Sequence, residues 1–109
     1  MPWLVRDNDV LASLEVADGF WLRAKGLLGR SGYEGALLLP GVRAVHTLGM
    51  RFPIDVAYCD DEAVVVRTVT LRPHRVDRPV RHARMVVEAE AGAFERWHLR
   101  VGDRLEVTG

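Results

Sequence analysis

Alternation of hydrophobic and polar residues predicts β-strands along most of the chain. Residues 10–16 place apolar side chains at every second position, with Ser13 and Glu15 between them. Residues 52–59 alternate too, so Ile54 and Asp55 are expected on opposite faces of a strand. Turn-forming residues at 7–9 and 60–62 predict hairpins. Further strands are predicted at residues 3–5, 36–39, 43–48, 63–71, 84–91 and 104–108.

Two segments have a helical pattern. Asp18 is a candidate N-cap, apolar residues then recur at helical spacing, and Gly29 fits the left-handed position that ends a helix. We therefore predict a helix over residues 19–28 and a short helical turn over residues 93–97. Many short strands with one substantial helix favour a mainly β (α+β) fold. The specific prediction is a small β-sandwich or jelly-roll-like barrel with helix 19–28 covering one opening.

Length and composition predict one soluble domain spanning residues 1–109. The hydrophobic fraction of 49% excludes a disordered chain, and 15 basic against 15 acidic residues give no support to a general nucleic-acid binder. The N-terminus lacks the apolar stretch of a signal peptide, and no apolar run reaches the length of a membrane span, so we expect a cytoplasmic protein. Cys59, the single cysteine, excludes an internal disulfide and is predicted to be a buried, unreactive thiol.

Three stretches, in order along the chain, carry a family resemblance. Residues 23–30 are similar to the motif Arg-x-x-Gly-Leu-Met-x-x-Arg, and residues 46–58 to a polar segment that runs into Ile-Pro-Leu-Asp and a hydrophobic strand. Residues 87–92 and 101–104 are similar to Leu-Glu-x-x-x-Gly and a closing Val-Gly-Asp. Together these motifs resemble the domain of unknown function 192 family. The resemblance implies a jelly-roll-like sandwich fold and no known reaction.

One departure from the family pattern concerns the segment before Pro53. Most members carry Trp-Met-Lys-Asn-Thr there, whereas this chain has the five residues from His46 to Met50. Leu48 cannot supply the charge of the family's lysine. The chain therefore resembles a variant branch.

Asp55 is the leading candidate for a functional residue. If its strand face is partly buried, its carboxylate needs a partner, and an unpaired one would suit a general acid or base. The structural alternative is that Asp55 binds backbone amides or an arginine and fixes the fold. His46 would meet Asp55 if the segment between them folds back, giving a histidine oriented by a carboxylate. The structural alternative for His46 is a histidine whose ring nitrogens are satisfied by hydrogen bonds within the fold. The candidate binding residues are His46, Thr47, Arg51, Asp55 and Glu88.

A second candidate is an arginine-rich segment that contains Pro73 and Pro79. Its arginines recur at every third residue, and the prolines favour an extended conformation with about three residues per turn. Such a conformation would align the guanidiniums for a phosphate, carboxylate or acidic partner. The alternative is a solvated loop. The candidate anion-binding residues are Arg72, Arg75, Arg78 and Arg81, with Arg84 continuing the spacing.

Three functions remain open. The first is a non-catalytic binding module for a small polar ligand or a peptide segment. The second is a small hydrolase or lyase that uses Asp55 and His46 as acid and base, although no nucleophile motif accompanies them. The third is an interaction protein that presents the arginines between Arg72 and Arg84 to an anionic partner. No metal-ligand spacing is present, so no metal or cofactor is predicted. We expect a monomer or weak dimer that binds neither membranes nor nucleic acid.

Overall fold

The protein is mainly β. The computed structural model describes residues 2–17 and 32–109. Within them lie seven strands and one short helix, in the order β1 (Trp3–Arg6), β2 (Asp9–Val16), β3 (Ala36–Pro40), β4 (Ile54–Cys59), β5 (Val65–Leu71), β6 (Met85–Glu90), α1 (Ala93–Arg96) and β7 (Glu106–Thr108).

The seven strands form one mixed sheet that does not close into a barrel. Their order across the sheet is β5-β4-β6-β3-β2-β1-β7. The β2–β3 pair is parallel, and the other neighbouring pairs are antiparallel. The predicted hairpin between β4 and β5 is confirmed, with Val56 opposite Val69. The predicted turn between β1 and β2 is confirmed too, because Asp7 and Asn8 both have positive φ.

The three central strands, β3, β4 and β6, are buried on both faces. Successive side chains of a strand point to opposite faces. Val56 and Tyr58 therefore belong to one hydrophobic cluster, while Ala57 and Cys59 belong to the other. Loop residues between β3 and β4 and between β5 and β6 close the first cluster, so we call this side of the sheet the loop face. Residues of α1, β1 and β2 close the second, which lies on the helix face.

Two sequence predictions are corrected here. The described residues form a single sheet and not the predicted sandwich. The prediction failed because alternation shows which residues share a face of a strand but not which strands pair. The strand predicted at residues 43–48 is wrong: only one bridge, between His46 and Val76, forms there. The helical turn predicted near residue 93 is confirmed as α1. The helix predicted at residues 19–28 lies outside the described residues.

One end of β5 is held by the chain that leads into β7. Val65 donates its amide hydrogen to the Asp103 carbonyl at 2.8 Å and accepts from the Gly102 amide at 2.8 Å. The Leu105 amide donates to the Ala63 carbonyl at 2.9 Å. Within residues 2–17 and 32–109, no backbone bond reaches the outer side of β5 beyond Val65. In the described part of the chain, most of this strand is therefore a free sheet edge.

Candidate functional site

Asp55 lies on the helix face of β4 and is only 4% exposed. Its Oδ1 accepts a hydrogen bond from the Thr70 hydroxyl at 2.6 Å. Its Oδ2 accepts from the backbone amides of Gly92 at 3.0 Å and Phe94 at 3.1 Å. Three donors thus serve this one buried carboxylate, as a buried charge requires.

The two amides that Asp55 accepts from are at the beginning of α1. The first amides of a helix have no partner within the helix. Gly92 occupies the N-cap position with a φ of 97° and has no side chain with which to cap them. The carboxylate from β4 supplies the missing acceptor. This geometry agrees with the structural alternative for Asp55, in which the residue fixes the fold.

An open recess with a volume of about 300 Å³ lies beside Asp55. We call it the Asp55 recess. Its lining comes from β4, β5 and the beginning of α1: Asp55, Thr68, Val69, Thr70, Gly92, Phe94 and Glu95.

His46 is separated from Asp55 by the sheet. It lies in the loop that covers the loop face, where it pairs with Val76. Its side chain is exposed, and its Nδ1 accepts a hydrogen bond from the Leu48 amide at 3.2 Å. His46 and Asp55 therefore make no contact, and the structure does not assemble them as an acid and base pair.

Thr47 connects the two loops of the loop face. It is fully buried, and its hydroxyl donates to the Arg72 carbonyl at 2.5 Å and accepts from the Arg75 amide at 2.9 Å. Its own amide donates to the Arg75 carbonyl at 2.7 Å, and its carbonyl accepts from the His74 amide at 2.8 Å. The hydroxyl, amide and carbonyl groups of Thr47 are thus all hydrogen-bonded to backbone groups of residues 72–75.

Glu88 and Arg51 lie apart from Asp55. Glu88 is buried and pairs with Val56, which places it on the loop face. Asp55 pairs with Ala89 on the helix face, so the two acidic side chains point to opposite sides of the sheet. Arg51 is exposed. The predicted binding residues are therefore distributed over both faces.

The five arginines from Arg72 to Arg84 are all exposed. Turns at residues 73–74 and 81–82 interrupt their segment, and His74 has a φ of 63°, so it is not the single extended run that the prolines favour. Arg78 and Arg81 lie together beside residues 66–68 of β5. Tertiary pairing with residues 43–47 has overridden the local preference.

Arg78 and Arg81 line an open groove of about 580 Å³ beside β5. We call it the arginine groove. Its lining combines guanidiniums with valines: Val66, Arg67, Thr68, Arg78, Pro79, Val80, Arg81 and Val101.

One lining residue of this groove, Arg67, forms an ion pair that the sequence analysis did not predict. Asp77 accepts from Arg67 Nη2 at 3.0 Å and from the Tyr58 hydroxyl at 2.8 Å. Burial alone would raise the pKa of Asp77, but the hydrogen bonds from Arg67 and Tyr58 outweigh it and hold that pKa below its ordinary value. Burial, and then the bond to Asp77, raises the pKa of Tyr58. The sequence did contain a signal for this pair. Asp77 is the one acidic residue between Arg72 and Arg84, and a carboxylate that becomes partly buried needs a cationic or hydrogen-bonding partner.

Within the described part of the chain, the candidate metal ligands do not form a cluster and the one thiol is buried. No three histidine, cysteine, aspartate or glutamate side chains lie close enough there to hold a metal ion. Cys59 is buried as predicted, and burial, with a contribution from Asp60, raises the pKa of its thiol to about 12.

No helix among residues 2–17 and 32–109 is long and apolar enough to cross a membrane. The cellular compartment stays a prediction.

Two solved structures share this fold. A protein of unknown function from Novosphingobium aromaticivorans DSM 12444 is similar with a TM-score of 0.78 and 16% identity, over 96% of this chain and 82% of the other. A candidate transcription regulator from Sinorhizobium meliloti 1021 is similar with a TM-score of 0.79 and 21% identity, over 97% and 91%. At these identities the similarity establishes the fold alone.

Sequence comparison establishes the family. The UPF0127 protein of Pyrococcus abyssi is 35% identical over 98 residues, which is 85% of this chain and 84% of the relative. The UPF0127 protein of Pyrococcus furiosus is 34% identical over 108 residues, covering 94% and 93%. The family model described as "DUF192: Uncharacterized ACR, COG1430" matches residues 4–107. The chain therefore belongs to the DUF192 family of uncharacterised proteins.

Proposed function

We propose that the protein is a non-catalytic binding module that takes an acidic segment of a partner protein in the arginine groove. One observation carries this proposal: Arg78 and Arg81 are exposed beside the apolar side chains of a groove at a free sheet edge. No carboxylate among the described residues lies within salt-bridge distance of either guanidinium.

The charges in the groove favour a carboxylate ligand. Arg67 is already paired with Asp77, so the guanidiniums left for a ligand are those of Arg78 and Arg81. A guanidinium binds a carboxylate through two parallel hydrogen bonds, which gives both affinity and orientation. Val66, Val80 and Val101 add apolar surface that a simple inorganic anion would leave exposed. A peptide with acidic side chains satisfies both parts of the lining.

The catalytic alternative receives no support from this geometry. A hydrolase or lyase based on Asp55 and His46 needs the two side chains to act on one substrate. Asp55 instead accepts three hydrogen bonds on the helix face, and His46 is exposed on the other side of the sheet.

The proposal is tested with a fluorescein-labelled octapeptide of alternating glutamate and threonine, which we call the alternating peptide. We expect the double variant Arg78→Gln/Arg81→Gln to weaken its binding by about tenfold or more, because each lost charge-assisted bond costs over a kcal/mol. The matched control is Arg75→Gln/Arg84→Gln, which removes the same charge from exposed positions outside the groove. Fluorescence anisotropy measures both.

Two results would reject the proposal. The first is an equal loss of affinity in both double variants, since it would mean that net charge matters and the groove does not. The second is displacement of the peptide by a single-stranded oligonucleotide that binds more tightly at about 0.15 M salt, which would make nucleic acid the ligand. The description of the Sinorhizobium protein as a candidate transcription regulator makes this competitor worth including.

A further inference from the structure

We infer that the acidic segment binds as an added β-strand along the outer edge of β5, with acidic residues at every second position. This inference rests on the proposed function, because it uses the arginine groove. It adds the conformation of the ligand, its backbone contacts and its sequence pattern.

The edge of β5 has the properties that strand addition requires. β4 is the partner of β5 on one side, and the segment around Asp103 occupies the other side only as far as Val65. The rest of the strand is rich in valine and threonine and contains no proline. An added peptide would pair with backbone groups that have no other backbone partner among residues 2–17 and 32–109.

A β-bulge directs additional side-chain surface into the groove at this edge. Tyr58 pairs with Arg67 and Cys59 pairs with Val65, so Val66 is the extra residue. Both Val66 and Arg67 line the arginine groove. Bulges of this kind occur at sheet edges and change the direction of a side chain.

The two recesses flank β5 on opposite faces. The arginine groove includes Arg67, whose strand partner Tyr58 lies on the loop face. The Asp55 recess includes Thr70, whose partner is Asp55 on the helix face. Thr68 lines both. The side chains of an added strand alternate between the two faces, so alternate residues would enter the two recesses.

The recesses differ in charge, and this difference sets the sequence pattern. The arginine groove offers Arg78 and Arg81, whereas the Asp55 recess contains Asp55 and the exposed Glu95. Acidic side chains are attracted by the first and repelled by the second. The expected ligand therefore alternates acidic residues with neutral or basic ones.

A second copy of the chain is a poorer occupant of this edge. Two β5 strands paired antiparallel about a two-fold axis would place both arginine grooves on the same face of the joined sheet. Arg78 and Arg81 of one copy would then approach those of the other, and like charges at an interface oppose association. The arginines instead favour an acidic partner.

N-methylation of the peptide tests strand addition without altering the protein. In a β-strand, residues with side chains on one face also direct their amides to one edge. Methylation of every glutamate amide and methylation of every threonine amide should therefore have different effects on the affinity of the alternating peptide. One pattern blocks the amides that face β5 and should abolish binding, and the other should leave the affinity within about threefold of the parent peptide, less than 1 kcal/mol.

A permuted peptide with two glutamates followed by two threonines, repeated, is the matched control for pattern. It has the same charge, but places glutamates in both recesses in every extended register, so we expect it to bind about tenfold more weakly.

Equal affinity of the two methylated peptides would overturn strand addition, while a loss of affinity on Arg78→Gln/Arg81→Gln would still uphold the proposed function. Binding that is indifferent to that double variant would overturn the proposed function itself. A concentration-dependent dimer that the alternating peptide dissociates would assign the edge to a second copy.

Discussion

At the scale of single residues, Asp55 illustrates how a charged group can be buried for structural reasons. Its carboxylate joins three elements, because it comes from β4 and accepts from Thr70 on β5 and from the two amides at the beginning of α1. Hydrogen bonds to a charged acceptor contribute more than neutral ones. Asp55 therefore holds the short helix against the sheet.

We predict that Asp55→Asn lowers the free energy of unfolding by about 1–3 kcal/mol, because a neutral amide replaces the charged acceptor and brings a donor toward the Thr70 hydroxyl. Urea denaturation measures the change. Glu95→Gln is the matched control, since it neutralises an exposed carboxylate of the same recess and should change stability by less than about 0.5 kcal/mol. Equal stability of Asp55→Asn and the unaltered protein would contradict the structural role.

A second residue-scale prediction concerns Asp77 and pH. Its pKa is lowered in the folded protein, so the unfolded chain takes up the proton first as the pH falls. The stabilisation by Asp77 is therefore complete above its ordinary value of 3.8 and is lost as the pH falls from there through the folded pKa. Asp77→Asn should be less stable than the unaltered protein near neutral pH, and the difference should shrink in acid.

Denaturation curves between about pH 6 and about pH 2 measure this difference. The control is Asp61→Asn, which removes an exposed carboxylate from the turn between β4 and β5. A stability difference between Asp77→Asn and the unaltered protein that stays constant down to the lowest pH would show that the pairing with Arg67 and Tyr58 makes no contribution through ionisation.

At the scale of elements, local pattern was sufficient where a strand is flanked by clear turns. The alternation in β4 correctly placed Asp55 opposite Ile54 and beside Cys59, because burial on both sides enforces one register. The strand prediction for residues 43–48 was wrong because the apolar spacing did not show whether another strand would pair with this segment. Val45 packs onto the loop face, but Ala44 and Leu48 are exposed, and the backbone of the segment bonds irregularly to residues 74–80 and not to a strand.

An element-scale prediction concerns the entry into β3. Gly35 has a φ of 89°, and a Cβ there would lie 2.6 Å from Ser13 Oγ and 2.8 Å from the Ser13 carbonyl oxygen. Ser13 directly precedes Leu14, which pairs with Ala36 in the parallel β2–β3 pair. Gly35→Ala should therefore separate the two strands and cost about 3 kcal/mol or more, the sum of backbone strain and overpacking.

Gly41→Ala is the matched control for backbone strain alone. Gly41 has a φ of 77°, and nothing lies within 4 Å of the position that a Cβ would take there. The expected cost is about 1–2 kcal/mol, the strain of an alanine in the left-handed region. Thermal unfolding ranks the two variants. Equal destabilisation would mean that Ser13 moves away without cost and that the close approach of β2 and β3 is not tight.

At the scale of the whole molecule, the candidate site depends on which distant segments meet. The arginine groove joins β5, the loop around Arg78 and Val101, and no local pattern predicts that combination. The spacing of the arginines correctly marked an exposed cationic segment, but only the strand order explains why Arg78 and Arg81 reach β5. The opposite placement of Glu88 and Asp55 likewise follows from the pairing of β4 with β6.

The strand order also predicts where the molecule opens first. β3, β4 and β6 lie inside the sheet and are buried on both faces, so their amides should exchange with solvent only through global unfolding. β7 is a terminal strand with three exposed residues and should open locally. The outer amides of β5 beyond Val65 have no backbone acceptor among the described residues and should exchange fastest of the amides in this strand.

Hydrogen exchange followed by NMR measures this order, and the alternating peptide supplies an internal test. Its binding should slow the outer amides of β5 beyond Val65 and leave the rates in β7 unchanged, because β7 pairs with β1 and the backbone of the segment that leads into it bonds to β5 only as far as Val65. Slowing in β7 as well would indicate a general stabilisation of the fold. Exchange in β4 as fast as in β7 would contradict the two-sided burial from which the order is derived, since amides of a strand sealed on both faces have no local route to solvent.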